Sequence, residues 1–334
     1  MRNRNYVTIE GGQTSLLEHP AVKGWGKLCA VRAEPRRVVI LKPEEKTSAV
    51  YRLENIGPSG SAVIAKRKRM ASIGLEVAIY REVLSHLPLR TLQCYGFIED
   101  QDARFGWLFL EDAGDERYSF DNKEHRVLAA EWLGILHTSA VGDAVAKACL
   151  PNRGLDYWRS VVLSARDTVR RSLANPAFSA DDLTILNAIL SQCQVLVRHW
   201  AKVEEICNFM PQTLVHGDFS PKNVRVRTGR NGLELFPLDW DCGGWGIAAA
   251  DLSQTDIAIY WSVIRHHWPT LDPDAVTRFA NVGRMLWALE PITGEVEPLA
   301  SDWVGNVMRK MRFYHAEVTK AIQAAGWGTG DQNV

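Results

Sequence analysis

The 334-residue sequence lacks a prevailing charge, paired cysteines and long apolar runs, and each absence removes a class of function. Lys plus Arg and Asp plus Glu both number 39, so the formal net charge is zero. The chain as a whole therefore offers no electrostatic footprint for nucleic acid or for a polybasic membrane contact. The six cysteines (Cys29, Cys94, Cys149, Cys193, Cys207 and Cys242) form no Cys-x-x-Cys pair and have no zinc-finger spacing. They read as small, mostly buried residues of a reducing compartment. No apolar stretch is long enough to span a bilayer, and the positively charged stretch 1–5, with Arg2 and Arg4, is not followed by an apolar segment of signal-peptide length. The expected location is the cytoplasm. Internal repeats and low-complexity tracts are also missing. What remains is a globular composition, 46% hydrophobic and 23% charged, which can bury a core without disulfide or metal staples. The length corresponds to about two domains.

Hydrophobic patterning divides the chain. Residues 38–41 are an apolar run before Pro43, residues 48–53 carry β-formers, and residues 62–66 follow the turn cluster 55–60. Strand, turn and strand at this spacing predict an antiparallel meander. The period then changes: Leu75, Ile79, Val83 and Leu87 recur every four residues, predicting a helix over 73–87 stopped by Pro88. A second strand pair is expected at 94–98 and 106–110, joined by a turn at 99–102. Beyond Gly114 helices dominate. Leu128, Trp132, Leu136 and Ala129, Leu133, His137 form adjacent stripes of a helix with Asp121 as its expected N-cap. The helical pattern continues over 181–206, gives way to strands over 211–241, and resumes over 252–324. The expected fold class is α+β, with a small β-rich N-lobe over 1–111 and a larger, mainly helical C-lobe over 112–334.

Two stretches carry chemistry. The first is Leu214-Val215-His216-Gly217-Asp218-Phe219-Ser220-Pro221-Lys222-Asn223-Val224; the second is Pro237-Leu238-Asp239-Trp240-Asp241. A carboxylate five residues before an amide, on a loop after an apolar strand, can point both groups into one cleft. A second carboxylate sixteen residues after Asn223, beyond an Asn231-Gly232 turn, can meet them as a hairpin neighbour. Phosphoryl transfer needs such a set: one carboxylate for the attacking hydroxyl, and an amide oxygen with another carboxylate for magnesium on a triphosphate.

His-Gly-Asp-x-x-x-x-Asn followed by Leu-Asp-Trp-Asp resembles the signature of aminoglycoside phosphotransferase and choline kinase-like enzymes, small-molecule relatives of the protein kinases. The resemblance is strongest over 212–254 and looser over 38–112. It implies a protein-kinase-like bilobal fold, with Asp218 as catalytic base and Asn223 and Asp239 as metal ligands. Asp251 matches the acid that braces the family's catalytic loop. Lys66 stands where the phosphate-binding lysine is expected and Glu76 where its ion-pair partner is. Lys68 shares the strand face of Lys66, so the assignment can slip by two residues, and Glu82 is the competing carboxylate. Leu110-Glu111-Asp112 resembles the hinge whose backbone meets the adenine. Residues 44–48 lack the glycines of a protein-kinase phosphate loop, and Thr47 and Ser48 stand where the family often places a serine-bearing loop.

Several residues keep two readings. Lys222 reaches the transferred phosphate or is a solvated loop lysine. Asp241 is a metal ligand or supports one. His216 reads as a packed histidine shaping the loop. A zinc site from His216, Asp218, Asp239 and Cys242 is the weaker option because only one Cys and one His are near. Ser220 lacks the Gly-x-Ser-x-Gly elbow of a nucleophile. Trp240, Trp245, Trp261, Trp268, Trp287 and Trp303 are core residues or walls of a substrate site. Glu290, Glu295, Glu297 and Asp302 form a solvated loop or attract a polycation. The function expected is an ATP-dependent (or GTP-dependent) phosphotransferase with Mg²⁺, acting on a hydroxyl of a small molecule. The acceptor is an aminoglycoside-type antibiotic, which would make the activity one of antibiotic resistance, or a similar metabolite. The alternatives are a choline or amino-alcohol, sugar or nucleoside kinase, and a non-catalytic nucleotide-binding scaffold. No nucleic-acid or membrane partner is expected, and the chain is a monomer or homodimer.

Overall fold

The computed structural model describes residues 7–9, 13–30, 34–44, 48–100, 103–230 and 232–328. Thr47, Asn231, Gln101 and Asp102 lie outside the described residues, and so do the turn positions expected of the last three. Two compact units emerge: residues 1–117 with 224–241, and residues 118–223 with 242–334. The division is therefore not a single cut near residue 111, because a later hairpin returns to the first unit.

In chain order the first unit opens with β1 (Val7–Ile9), α1 (Gln13–Glu18) and α2 (Pro20–Cys29), then β2 (Arg37–Lys42), β3 (Ala49–Glu54) and β4 (Val63–Arg69). Helix α3 (Met70–Ala78), β5 (Cys94–Glu99) and β6 (Phe105–Glu111) follow. The six strands form one antiparallel sheet in the order β1-β2-β3-β4-β6-β5. The expected meander and second strand pair are present. Strand β3 buries Ala49, Tyr51 and Leu53 and turns the alternate residues outward, the period of a half-buried strand. Strand β6 lies inside the sheet and buries Trp107, Leu108, Phe109 and Leu110 in succession. Trp25 of α2 packs on Tyr95 and Phe109, closing one face over Leu53, Val63 and Ala65.

Helix α3 starts directly after β4, three residues earlier than the apolar stripe indicates. It does not continue as a uniform α-helix: Ile79–Val83 winds as a π-turn and Leu84–His86 as a 3-10 turn. Ile79, Tyr80, Val83 and Leu84 are all buried, more of the circumference than one α-helical stripe can turn inward.

The second unit contains α4 (Lys123–Ala140), α5 (Ala144–Cys149), β7 (Asn152–Arg153), α6 (Leu155–Ser172), α7 (Ala180–Arg198), α8 (Trp200–Cys207) and β8 (Thr213–Val215). The chain then builds the hairpin β9 (Val224–Gly229) and β10 (Gly232–Pro237) of the first unit, paired from Val224↔Pro237 to Gly229↔Gly232. It resumes the second unit with β11 (Gly244–Gly246), α9 (Ile257–Ile264), α10 (Pro273–Leu289), α11 (Val296–Ala300) and α12 (Gly305–Ala324). The cap of α4 is Asn122 rather than Asp121, since the Asn122 side chain accepts from the Glu124 amide at 2.9 Å. The helix expected over 181–206 is broken at His199, between α7 and α8. All six cysteines are free. Cys94, Cys193 and Cys207 are buried as expected, whereas Cys29 and Cys149 are exposed. No helix among the described residues is long and apolar enough to cross a membrane.

Candidate active site

In the first unit, the two-residue period of β4 puts Lys66 and Lys68 on one buried face, and α3 presents Glu76 to both. Lys66 Nζ donates to Glu76 Oε1 at 2.8 Å and Oε2 at 2.9 Å, and to Asp239 Oδ1 at 3.2 Å. Lys68 Nζ donates to Glu76 Oε1 at 2.7 Å, to Asp241 Oδ2 at 2.7 Å and to Asp239 Oδ1. The two-residue slip is thus not a choice between lysines, because both meet Glu76. Glu82 is exposed on the π-turn.

The hairpin is fixed to this unit by Arg227, which donates to the Asp112 carbonyl at 3.0 Å and pairs with Glu111 at 2.8 Å. The edge of Trp240 against Tyr80 adds a further tie. Asp239 follows β10 with a left-handed backbone, φ +66°, a conformation open to few types besides glycine, Asn and Asp.

Electrostatics couples these groups. Lys66 holds the Asp239 carboxyl far below the usual carboxylate range against the pull of burial, with Lys68 adding to the effect. Desolvation works against the Lys66 charge, and Glu76 and Asp239 outweigh it, so the ammonium is held well above the lysine range. For Lys68, desolvation and the Lys66 charge are outweighed in the same way by Glu76, Asp239 and Asp241. Burial pushes the Asp241 carboxyl up despite its contact with Lys68.

One oxygen each of Glu76, Asp239 and Asp241 lie within 4.8 Å of one another. Glu76 is fully buried and taken up by lysines, whereas the Asp239 and Asp241 side chains are 43% and 39% exposed. An all-oxygen set with two open carboxylates fits Mg²⁺, which takes one or two carboxylates and keeps water. It does not fit zinc, since the cluster has no Cys or His.

Other residues of the first unit are placed as follows. Ser48 accepts from Lys42 Nζ at 2.7 Å, beside the register shift between Ile40 and Lys42. Leu110 is buried and paired on both sides, to Ile64 and Cys94. The Glu111 amide is committed to the Gln93 carbonyl at 2.8 Å.

In the second unit, the fully buried strand β8 delivers the loop 216–223. Asp251, on the 3-10 turn Ala248–Gln254, accepts from the amides of His216 and Gly217, both at 2.7 Å. It thereby satisfies two buried donors at the entry to the loop. The His216 ring is buried and accepts from the Asp218 amide at 3.3 Å, shaping the loop. Asp218 receives Asn223 Nδ2 at 2.8 Å and Lys222 Nζ at 2.8 Å on its carboxylate. The Asn223 nitrogen is committed to Asp218, so the amide oxygen is the end left for a cation. Desolvation works against the Lys222 charge, and Asp218 outweighs it. The buried Ser220 hydroxyl has no hydrogen-bond partner among the described residues.

Gly217 has φ +78°, and a Cβ there would sit 2.4 Å from the Cys242 carbonyl oxygen. Farther back, a Cβ on Gly283 of α10 would sit 1.7 Å from the Ala249 carbonyl oxygen, two residues before Asp251. Gly283→Ala is therefore expected to lower stability by about 1–3 kcal/mol or more through overpacking, and to shift the turn carrying Asp251. Thermal unfolding checks this, and a wild-type melting profile would contradict it.

No motif marks Glu290 and Tyr314 as neighbours of Asp218. Burial and then the Asp218 charge raise the Glu290 carboxyl; burial, Glu295 and the Asp218 charge raise the Tyr314 phenol. Of the other acids in the stretch, Glu295 is buried against Lys310, while Glu297 and Asp302 are exposed. Among the tryptophans, Trp240, Trp245 and Trp287 are core residues and Trp303 is 79% exposed.

The fold recurs in solved structures. A spectinomycin phosphotransferase in complex with ADP and spectinomycin is 11% identical at a TM-score of 0.58, covering 97% of this chain and 100% of its own. A choline kinase from Cryptosporidium parvum is 10% identical at 0.57, covering 87% and 91%. The GDP complex of a mutant aminoglycoside 2′-phosphotransferase is 11% identical at 0.62, covering 87% and 94%. The fold is the α+β, protein-kinase-like fold with a β-rich N-terminal part and a larger helical part. No curated protein matches the chain significantly by sequence. The sequence profile of the phosphotransferase enzyme family matches residues 42–288, the span that contains Lys66, Lys68, Glu76, Asp218, Asn223, Asp239, Asp241 and Asp251, and the chain belongs to that family.

Proposed function

We propose that the protein is an ATP- or GTP-dependent kinase that transfers the terminal phosphoryl group to a hydroxyl of a small molecule, an aminoglycoside-type antibiotic or a similar metabolite. The observation that supports this best is the buried Lys66–Glu76 pair meeting Asp239. Burying a carboxylate against lysines is rarely favourable for stability alone, and it leaves a fixed cation for phosphate oxygens. In this reading Lys66 positions the nucleotide phosphates and Glu76 holds Lys66. Asp239 and Asn223 hold magnesium, which when bound neutralises charge on the triphosphate. Asp218 orients the acceptor hydroxyl and takes its proton as the oxygen–phosphorus bond forms. The bond to the bridging oxygen breaks, and its electron pair leaves with the nucleoside diphosphate. Asn223 and Lys222 fix the Asp218 carboxylate, so most of the rate gain is positioning and charge neutralisation.

Incubation with Mg-ATP or Mg-GTP and pooled aminoglycosides, macrolides, nucleosides, sugars and amino alcohols tests the proposal by mass spectrometry. One acceptor is expected to gain a single phosphoryl group. Nucleotide binding with no phosphorylated product from any acceptor would favour a non-catalytic scaffold.

A further inference from the structure

Among the described residues, the carboxylate cluster of the first unit holds one cation more than this chemistry uses. Lys66 already satisfies both oxygens of Glu76, yet β4 carries a second ammonium into the same cluster. Lys68 is only 10% exposed at its side chain and contacts all three carboxylates. Two of them, Asp239 and Asp241, are the solvent-open oxygen donors of the cluster, the ones a divalent ion would reach. An ammonium and a magnesium ion compete for the same carboxylate lone pairs, and magnesium tolerates little departure from short octahedral coordination. Charge points the same way. Three carboxylates facing Lys66 alone would leave two negative charges, the complement of a divalent ion; Lys68 leaves only one.

We propose that Lys68 is a built-in counter-cation that closes the Asp239–Asp241 pair to divalent metal until nucleotide phosphates arrive, so that metal loading is conditional on nucleotide. The inference rests on reading Asp239 as a metal ligand. Incoming phosphate oxygens give the Lys68 ammonium other acceptors and restore the missing negative charge. The two carboxylates then become available together. Lys66, held by two bonds to Glu76, stays in place.

The test measures Mn²⁺ binding by water-proton relaxation enhancement, with and without ADP, in the wild type, Lys68→Met, Lys68→Gln and Lys68→Arg. Methionine keeps the length of the stem, and glutamine keeps a neutral donor should methionine fail to fold. Without nucleotide, Lys68→Met and Lys68→Gln are expected to bind Mn²⁺ at least about tenfold tighter than the wild type. The tightening produced by ADP should shrink by the same factor, because the two effects are linked. Lys68→Arg, which keeps the charge, should behave as the wild type. If the neutral variants bind Mn²⁺ no tighter while ADP still brings the ion onto every protein, the proposal is overturned and Asp239 keeps its role. If ADP brings no protein-bound ion to any of them, the metal-ligand reading fails and the proposal fails with it.

Discussion

Asp218→Asn is expected to lower kcat by about 10²- to 10⁴-fold, the range for removing a positioned general base. The substitution is nearly isosteric and leaves the loop's supports intact, since those run through Asp251 to the amides of His216 and Gly217. An asparagine oxygen can still accept from Asn223, so the local hydrogen bond survives while the proton acceptor and its charge are lost. Lys222 loses an ion-pair partner, a small effect for a side chain that is 66% exposed. The lysine cluster of the first unit is untouched, so nucleotide affinity should change by less than about threefold, the pattern of an interaction made only in the transition state. Steady-state kinetics beside a nucleotide titration separates the two. Near-normal turnover would remove Asp218 from its role.

Asp251→Ala should act on stability as strongly as Asp218→Asn acts on rate. Asp251 is fully buried and receives two backbone N–H groups at 2.7 Å. Its Oδ2 also lies 3.4 Å from His137 Nε2, whose Nδ1 is 2.9 Å from the Tyr260 hydroxyl. Alanine leaves both amides without an acceptor, at about 1–3 kcal/mol for each buried group, before any cavity is counted. A loss of roughly 2–6 kcal/mol follows, with a fall in Tm of about 4–24 °C for a unit of this size. Asp251→Asn retains the shape and one acceptor oxygen, so it should fall between the two. Calorimetry on the three proteins orders them, and an alanine variant melting with the wild type would mean that the amides find another acceptor.

The sheet of the first unit was legible because alternation and turn residues act over a few positions, as at residues 48–53 and 55–60. The loop 216–223 was legible because chemistry needs its residue types at fixed offsets. Helices α1 and α2 were not: Gly24 and Gly26 weaken the helical pattern of α2, which forms because Trp25 buries against Tyr95 and Phe109. Lys68 was visible only as an ambiguity of strand register. The period that creates the ambiguity is what lets β4 aim both lysines at one carboxylate. Glu290 sits 72 residues after Asp218, and no local pattern links them; the packing of α10 against the 3-10 turn does. The cap shifted from Asp121 to Asn122 because either side chain is a good acceptor, and geometry alone chooses between neighbours.

The return of residues 224–241 to the first unit has a consequence for how the chain is made. When Arg117 leaves the ribosome, Lys66, Lys68 and Glu76 are already synthesised, but Asp239 and Asp241 are not. At about 5–20 residues per second the second aspartate arrives roughly 6–25 s later. Throughout that interval the ammonium groups of Lys66 and Lys68 have Glu76 but neither aspartate of their cluster. A polypeptide released early, short of Asp239, would keep that surplus of positive charge for its lifetime and present itself to proteases as unfinished.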